Sequence, residues 1–415
     1  MHGAMISLFS TRNYRLLFSA SAISNLGDGV SALAFPWLAT LITRDPMLIA
    51  LVAFATRLPW LLFSIPAGVW TDRVDRRRLM VQADMVRFLL TAGVISVILS
   101  APDFPIENGT PYILALCALA FLLGSAEVVR DNAAQTVLPA VVAKHQLEQA
   151  NGQIWSIEQI MGSFVGPPLA GFLIAYAVPA PFLLDAITFA GAAALVWCMR
   201  LSPASAPATP RRSWAAEARD GIHWLWGHKE ILRLAIMLGC MNAMGIMALT
   251  ILPLFGQELL GLNAAQYGLL ITAEAAGGVA GGLICPAIAA RLGVRRSLML
   301  ALPLMMVGWG MIGLVPNVWI VAPALFVGMF AGLMWNVVTV SYRQRRIPDD
   351  LLGRVNSLYR FFGWGMLPLG ALLGGWIVSA AEPELGREMA LRLPYLIAAC
   401  GMGIIWIYAL LKLRL

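Results

Sequence analysis

The chain has 415 residues, 60% of them hydrophobic and 12% charged, with a mean hydropathy of +0.77. That composition excludes a soluble globular protein and points to the bilayer. The net charge of +7 comes without a basic helix or aromatic-interleaved patch that would address nucleic acid, so the basic residues are expected to face an anionic leaflet.

Hydrocarbon cannot solvate free backbone N–H and C=O groups, so a crossing helix needs roughly 20 apolar residues. Twelve stretches meet that length: Tyr14–Leu41, Met47–Trp70, Met80–Ser100, Pro111–Leu138, Gln153–Ala177, Phe182–Met199, Leu232–Phe255, Gln266–Ala290, Ser297–Val315, Trp319–Val340, Asn356–Ala380 and Pro394–Leu411. The expected fold is an all-α membrane protein with twelve transmembrane helices in two pseudo-symmetric six-helix bundles. Of the 29 Lys and Arg residues, 22 fall on the side of the N-terminus, Arg44, Arg387 and Arg392 on the other, and Arg57, Arg87, Arg130 and Arg360 inside spans. Basic residues near helix ends stay inside, which puts both termini in the cytoplasm of a bacterial inner membrane.

In chain order, the first span carries Asp28 and the second Arg57. At 1.5 Å per residue both stand roughly 20 Å above the cytoplasmic boundary, close enough in depth to meet. The third span holds Asp84 and Arg87 on one face at i, i+3 spacing, which reads as a structural pair. The fourth carries Glu127, Arg130 and Asp131 in its cytoplasmic half, and the fifth a run of small residues from Gly162 to Gly171 with Pro167 and Pro168 inside it. A polar stretch from Arg200 to Glu230 then divides six spans from six and ends in what reads as an amphipathic interfacial helix. The expected domains are therefore an N-terminal bundle over 1–200, a linker over 201–230 and a C-terminal bundle over 231–415. Beyond the linker, the seventh span supplies Asn242 and Met244, the eighth Glu274 and a glycine stripe at Gly277, Gly278, Gly281 and Gly282, and the tenth Trp335 and Asn336.

The halves repeat. Asn25 and Pro36 match Asn242 and Pro253 at one offset, and "QTVLP" at 135–139 matches "QRRIP" at 344–348. Parallel repeats with a ligand held between them are a transporter design. Five scattered cysteines, Cys117, Cys198, Cys240, Cys285 and Cys400, contain no C-x-x-C pair, and His2, His145, His223 and His228 lack ligand spacing. No disulfide, metal or cofactor is expected. No P-loop or Rossmann glycine pattern is present either, so neither an enzyme nor an ATP-driven pump is indicated.

After the second span, "AGVWTDRVDRRRLM" places Gly68, Asp72, Arg73, Asp75, Arg76 and Arg77 so that the loop resembles the G-x-x-x-D-R-x-G-R-R signature of the major facilitator superfamily, with Asp75 where the second glycine usually stands. The resemblance implies a gating loop that restrains rocking of the two halves, its arginines reaching an acid on span four, for which Asp131 is the match. Gly162, Gly166, Pro167, Ala170 and Gly171 are similar to the G-x-x-x-G-P-x-x-G-G motif of the antiporter branches, with Ala170 replacing one glycine; the span-eight stripe is the expected packing partner. "SNLGDGVSALAFPWL", "LPAVVAKHQLEQANG" and "RIPDDLLGRVNSLY" extend the likeness to the drug:proton antiporter branch that contains macrolide exporters, siderophore exporters and a lysophospholipid flippase.

Charges inside spans are costly unless paired or facing water. Asp28, Arg57, Glu127 and Glu274 are accordingly the proton-coupling candidates, Arg57 being the expected partner of Asp28. A permanent Asp28–Arg57 structural pair is the alternative for the first two; Glu274 suits a cationic substrate or a proton, and equally a cap on a contact between the halves. Asn242, Met244, Trp335 and Asn336 suit a bulky amphipathic ligand. The expected function is export of an amphipathic drug, siderophore or lipid-like solute in exchange for protons, by a monomer surrounded by lipid. A proton- or cation-coupled nutrient importer and a non-transporting membrane sensor are the rivals.

Overall fold

The computed structural model describes residues 8–71, 74–102, 104–143, 146–200 and 222–413, and all regular structure among them is helical. The first four apolar stretches become α1 (Arg12–Ile42), α2 (Pro46–Thr71), α3 (Arg76–Ser100) and α4 (Thr110–Val141). The fifth is composite: α5 (Leu147–Gln159), a π-helical segment (Ile160–Val165) and α6 (Gly166–Tyr176). Pro167 and Pro168 offer no N–H, and their rings would crowd the carbonyls a turn earlier in an α-helix. A wider turn precedes them, with the Gly166 N–H donating to the Met161 carbonyl. The sixth stretch is α7 (Ala180–Trp197) and the seventh α8 (Lys229–Glu258).

Helices α9 (Ala264–Leu314), α10 (Val318–Arg346) and α11 (Asp349–Lys412) complete the described chain. An unbroken 51- or 64-residue helix would far outrun a hydrocarbon core about 30 Å thick. Gly293 in α9 and Gly386 in α11 both have φ 76°, a left-handed conformation that glycine adopts without a Cβ penalty, and each breaks its helix in two. Among the described residues, nine helices are long and apolar enough to cross a membrane. The chain is a multi-pass membrane protein.

Two compact units separate. The first comprises Met1–Arg44, Ala55–Ala206 and Asn263–Leu269; the second comprises Asp45–Phe54, Pro207–Leu262 and Leu270–Leu415. Sequence alone draws one line through the linker, of which 201–221 lies outside the described residues, whereas the start of α2 and the start of α9 each join the other unit. Close packing explains both exchanges. A Cβ at Gly375 would run into Ala50 and the Pro46 carbonyl, and one at Gly171 into the Ala264 carbonyl. In the first unit α3 packs on α4 and α7, and α1 on α6 and α7, over a core that includes Tyr14, Leu17, Met80 and Val137. In the second, α8 packs along α11 over Leu234, Met237, Leu302, Trp335 and Tyr359.

Candidate functional site

Helices α1, α3, α4 and α7 close around a buried ionic network in the first unit. Arg87 on α3, 2% exposed, forms an ion pair with Asp28 on α1, stands 3.8 Å from Asp84 and donates to the Ser24 hydroxyl at 3.3 Å. Its guanidinium also lies 3.9 Å from the centre of the Phe189 ring on α7. Arg130 on α4, 1% exposed, sits 3.6 Å from Asp84 and 3.5 Å from Asp131, and donates to the Ala20 carbonyl at 3.4 Å. Asp84, wholly buried between the two guanidiniums, has no hydrogen-bond partner for either carboxylate oxygen among the described residues, so coulombic attraction alone offsets its desolvation.

Asp185 on α7 completes the cluster: the Ser31 hydroxyl donates to one carboxylate oxygen, and the other is buried without a described partner. Four carboxyl groups thus face two guanidiniums. Burial differs sharply among them, because the Asp28 and Asp131 side chains remain 25% and 31% exposed while Asp84 is sealed. The network therefore has accessible carboxylates at its margin and a fixed core of opposite charge.

The structure corrects the pairing expected for Asp28. Its described partner is Arg87, which helical spacing assigns to Asp84 alone; Arg57 is exposed on α2 and within electrostatic range of Glu127. Glu127, half-buried on α4, is also in range of Asp28, Arg87 and Asp131. Asp185 escapes sequence reasoning altogether. Its only signal is a lone acid in the apolar run "PFLLDAITFA".

The antiporter-like segment packs onto this network's edge. A Cβ on Gly29 would overlap the Gly162 backbone, and one on Gly166 would lie 2.6 Å from the Gly29 carbonyl carbon, so α1 and the π-helical segment cross with backbones in contact beside Asp28. The span-eight stripe meets a neighbour inside the second unit. A Cβ on Gly277 would strike the Phe326 carbonyl and one on Gly281 would come within 3.1 Å of Leu333, both on α10. Within the first unit the first residues of α9 meet the motif, Ala264 against Gly171 and Gly268 against Pro167. Ala170 is fully buried.

Around the signature loop, Asp72 and Arg73 lie outside the described residues, as does everything at Gly68 beyond its helical backbone in α2. Asp75 caps α3, its carboxylate accepting from the Arg78 N–H at 3.1 Å and lying 3.9 Å from the Arg78 guanidinium. Arg76 donates to the Thr136 carbonyl at 2.9 Å and Arg77 to the Met199 carbonyl at 2.7 Å. Arg77 thus ends on a carbonyl just beyond the C-terminus of α7, where a cation is favoured, Arg76 on one inside the last turns of α4, and Asp131 pairs with Arg130.

The second unit holds a cavity of about 360 Å³ among α8, both segments of α9, α10 and both segments of α11. Asn242, Glu274, Trp335 and Asn336 line it, together with Trp309 and Trp364, which sequence reasoning does not single out. Met244 does not line it, packing instead against Gly401. The Asn242 amide donates to the Gly363 carbonyl at 2.8 Å, while the buried Trp335 indole N–H has no described acceptor. No cluster of His, Cys, Asp and Glu among the described residues is arranged to hold a metal ion.

Residues 4–414 match the family described as transmembrane secretion effectors. The multidrug efflux pump Tap of Mycobacterium tuberculosis is 26% identical over 416 residues, covering 96% of this chain and 94% of that protein. The enterobactin exporter EntS of Escherichia coli is 27% identical over 420 residues, covering 99% and 94%. Among solved structures, a bacterial homologue of the iron transporter ferroportin in its inward-facing state superposes with a TM-score of 0.71 at 16% identity, covering 95% of this chain and 98% of that one.

Proposed function

Because the chain belongs to the transmembrane secretion effector family of the major facilitator superfamily, and is thus a membrane transporter, we propose that it exports an amphipathic small molecule in exchange for protons. The proposed architecture is twelve spans in two six-helix bundles, 1–200 and 231–415, joined by the 201–230 linker. Both termini lie in the cytoplasm of a bacterial inner membrane, and the working unit is the monomer.

Proton exchange needs a carboxylate that water reaches and whose protonation changes the packing of charges around it. We assign that role to Asp28. It is part-exposed, while its partner Arg87 is buried and also within 4 Å of Asp84. Protonating Asp28 removes one of the two carboxylates holding Arg87, so the guanidinium shifts its allegiance to Asp84, and α1 is released from α3. Gly29 then transmits the change to the π-helical segment through direct backbone contact. Glu127 and Arg57 modulate the local field, Asp131 anchors Arg130, and the capped loop around Gly68, Asp72, Arg73, Arg76 and Arg77 restrains rocking of the halves. The observation that carries this reading is the ion pair of a part-exposed Asp28 with a sealed Arg87.

Export as such is supported by the names of the relatives: a multidrug efflux pump and a siderophore exporter align across nearly the whole chain. Substrate-panel flux in proteoliposomes, with and without an imposed pH gradient, tests it. Uphill movement against the proton gradient is expected; accumulation in the direction of proton entry would make the protein an importer.

A further inference from the structure

We propose that Asp185 is a second proton-binding site of the first unit, filled and emptied through the Ser31 hydroxyl. Asp185 on α7 is 1% exposed; Ser31 meets one of its carboxyl oxygens, and the other is buried without a hydrogen-bond partner among the described residues. The charged groups that face it are Asp28 from α1 and Arg87 from α3, and Arg87 is already paired with Asp28. Asp84, also on α3, stands between Arg87 and Arg130, and α6 carries no charged residue. Among the described residues no Lys or Arg forms an ion pair with Asp185.

A carboxylate sealed from water needs a cation or several donors, and otherwise takes up a proton. Asp84 is equally buried, yet guanidiniums 3.8 and 3.6 Å away offset its charge. Asp185 has one neutral hydroxyl instead. Thr188 adds no donor, because its hydroxyl is spent on the Asp185 backbone carbonyl at 2.7 Å. A Cβ on Gly27 would run into the Asp185 carboxyl and the Thr188 hydroxyl, so both groups press against bare backbone. A proton on Asp185 also removes one negative charge from a network in which four carboxyl groups face two guanidiniums.

Ser24, Gly27, Asp28 and Ser31 lie at i, i+3, i+4 and i+7 on α1, a single stripe turned toward Arg87 and Asp185. The hydroxyl of Ser31 serves both forms of the acid, donating to the carboxylate and accepting from the protonated group. Loading passes the Ser31 hydroxyl proton to Asp185 while the Ser31 oxygen takes an incoming proton in its place, so the hydroxyl is regenerated and nothing else is consumed; unloading is the reverse. Asp28, one helical turn away with its side chain 25% exposed, marks the side from which protons arrive.

The inference deepens the proton-exchange reading and rests on it for the use of this proton in transport, though not for its binding. Infrared spectroscopy of the full-length protein in liposomes reads a buried neutral carboxyl directly, as a C=O band separate from those of carboxylates. At neutral pH the unaltered protein is expected to show such a band, to shift it when its aspartate carboxyls are labelled with heavy carbon, and to lose it in Asp185→Asn. Transfer into heavy water should move the band as its proton exchanges, and Ser31→Ala should slow that movement at least roughly tenfold. No neutral aspartate band, a band that survives Asp185→Asn, or an unchanged exchange rate in Ser31→Ala overturns the proposal. Should Asp185→Asn fail to purify as a single species, Ser31→Ala decides alone: it keeps the acid and removes its hydrogen-bond partner, so the band must both change frequency and exchange more slowly, and a band unmoved in either respect overturns the proposal. Proton-linked flux on the same preparations separates the two readings. An intact, Ser31-dependent band without any proton-linked flux would sink the proton-exchange reading and leave the Asp185 site standing. Proton-linked flux by a protein that shows no neutral aspartate band would do the reverse.

Discussion

Arg87→Met removes the guanidinium that stands between Asp28 and Asp84 while keeping an apolar side chain of comparable reach. Arg87 is 2% exposed and Asp84 wholly buried, so the substitution strands a sealed carboxylate with only Arg130, 3.6 Å away, to balance it. Breaking a buried ion pair by removing one partner costs about 3–5 kcal/mol, because the remaining charge stays desolvated. The loss of the ring contact with Phe189 adds to this. Arg57→Ala removes an exposed guanidinium instead and should cost less than about 1 kcal/mol. Melting temperature in detergent, followed by tryptophan fluorescence and size-exclusion chromatography, is therefore expected to fall by several degrees in Arg87→Met and hardly at all in Arg57→Ala. Adding Asp28→Asn to Arg87→Met should recover part of the fall, since one stranded carboxylate is neutralised. If Arg57→Ala proved as destabilising as Arg87→Met, or the double variant were no more stable than the single one, the Asp28–Arg87 pair would not be the one that holds α1 to α3.

Gly166→Ala forces a methyl group into the Gly29 backbone, where nothing flexible can yield, and should cost roughly 1–3 kcal/mol in thermal stability; Gly152→Ala, with open space around it, should be neutral or better in the same melts. Asp75→Ala deletes the cap of α3 and should cost about 1 kcal/mol, whereas Asp75→Gly, which restores the usual signature residue, should cost only a few tenths. Chromatographic melts of the two capping variants side by side check the order.

Legibility in the sequence followed the strength of the physical constraint. The bilayer demands long apolar helices, so α1 to α4, α7, α8 and α10 stand near their expected ranges. Gly293 and Gly386 break α9 and α11 within the polar connections that separate two spans in each case. The exchange of short segments between units is invisible in the sequence, because it depends on Gly171 and Gly375 approaching particular backbones, and no composition marks that. Depth along a helix is legible, which is why Arg57 matches Asp28 on paper; azimuth is not, and Arg87, three residues from Asp84, points far enough around α3 to meet both acids. The same loss of azimuth affects the glycine stripe of α9, which packs on Phe326 and Leu333 of α10, and Met244, which faces Gly401 rather than the cavity. Asp185 goes unseen because a single acid without a spacing partner carries no pattern, although its burial against Ser31 places it inside the network.

Proton movement coupled through Asp28 is the centre of the account, and substrate-driven acidification or alkalinisation of liposomes loaded with a pH-sensitive dye measures it whichever substrate is carried. Each member of a panel of lipophilic cations, macrolides, siderophores and lysophospholipids is added to liposomes containing either the unaltered protein or Asp28→Asn, with substrate counterflow measured on the same preparations. The unaltered protein should move protons opposite to at least one substrate, and Asp28→Asn should abolish that exchange while counterflow persists, since the amide keeps the shape of the side chain and cannot titrate. Proton exchange by Asp28→Asn at the unaltered rate would contradict the coupling mechanism outright.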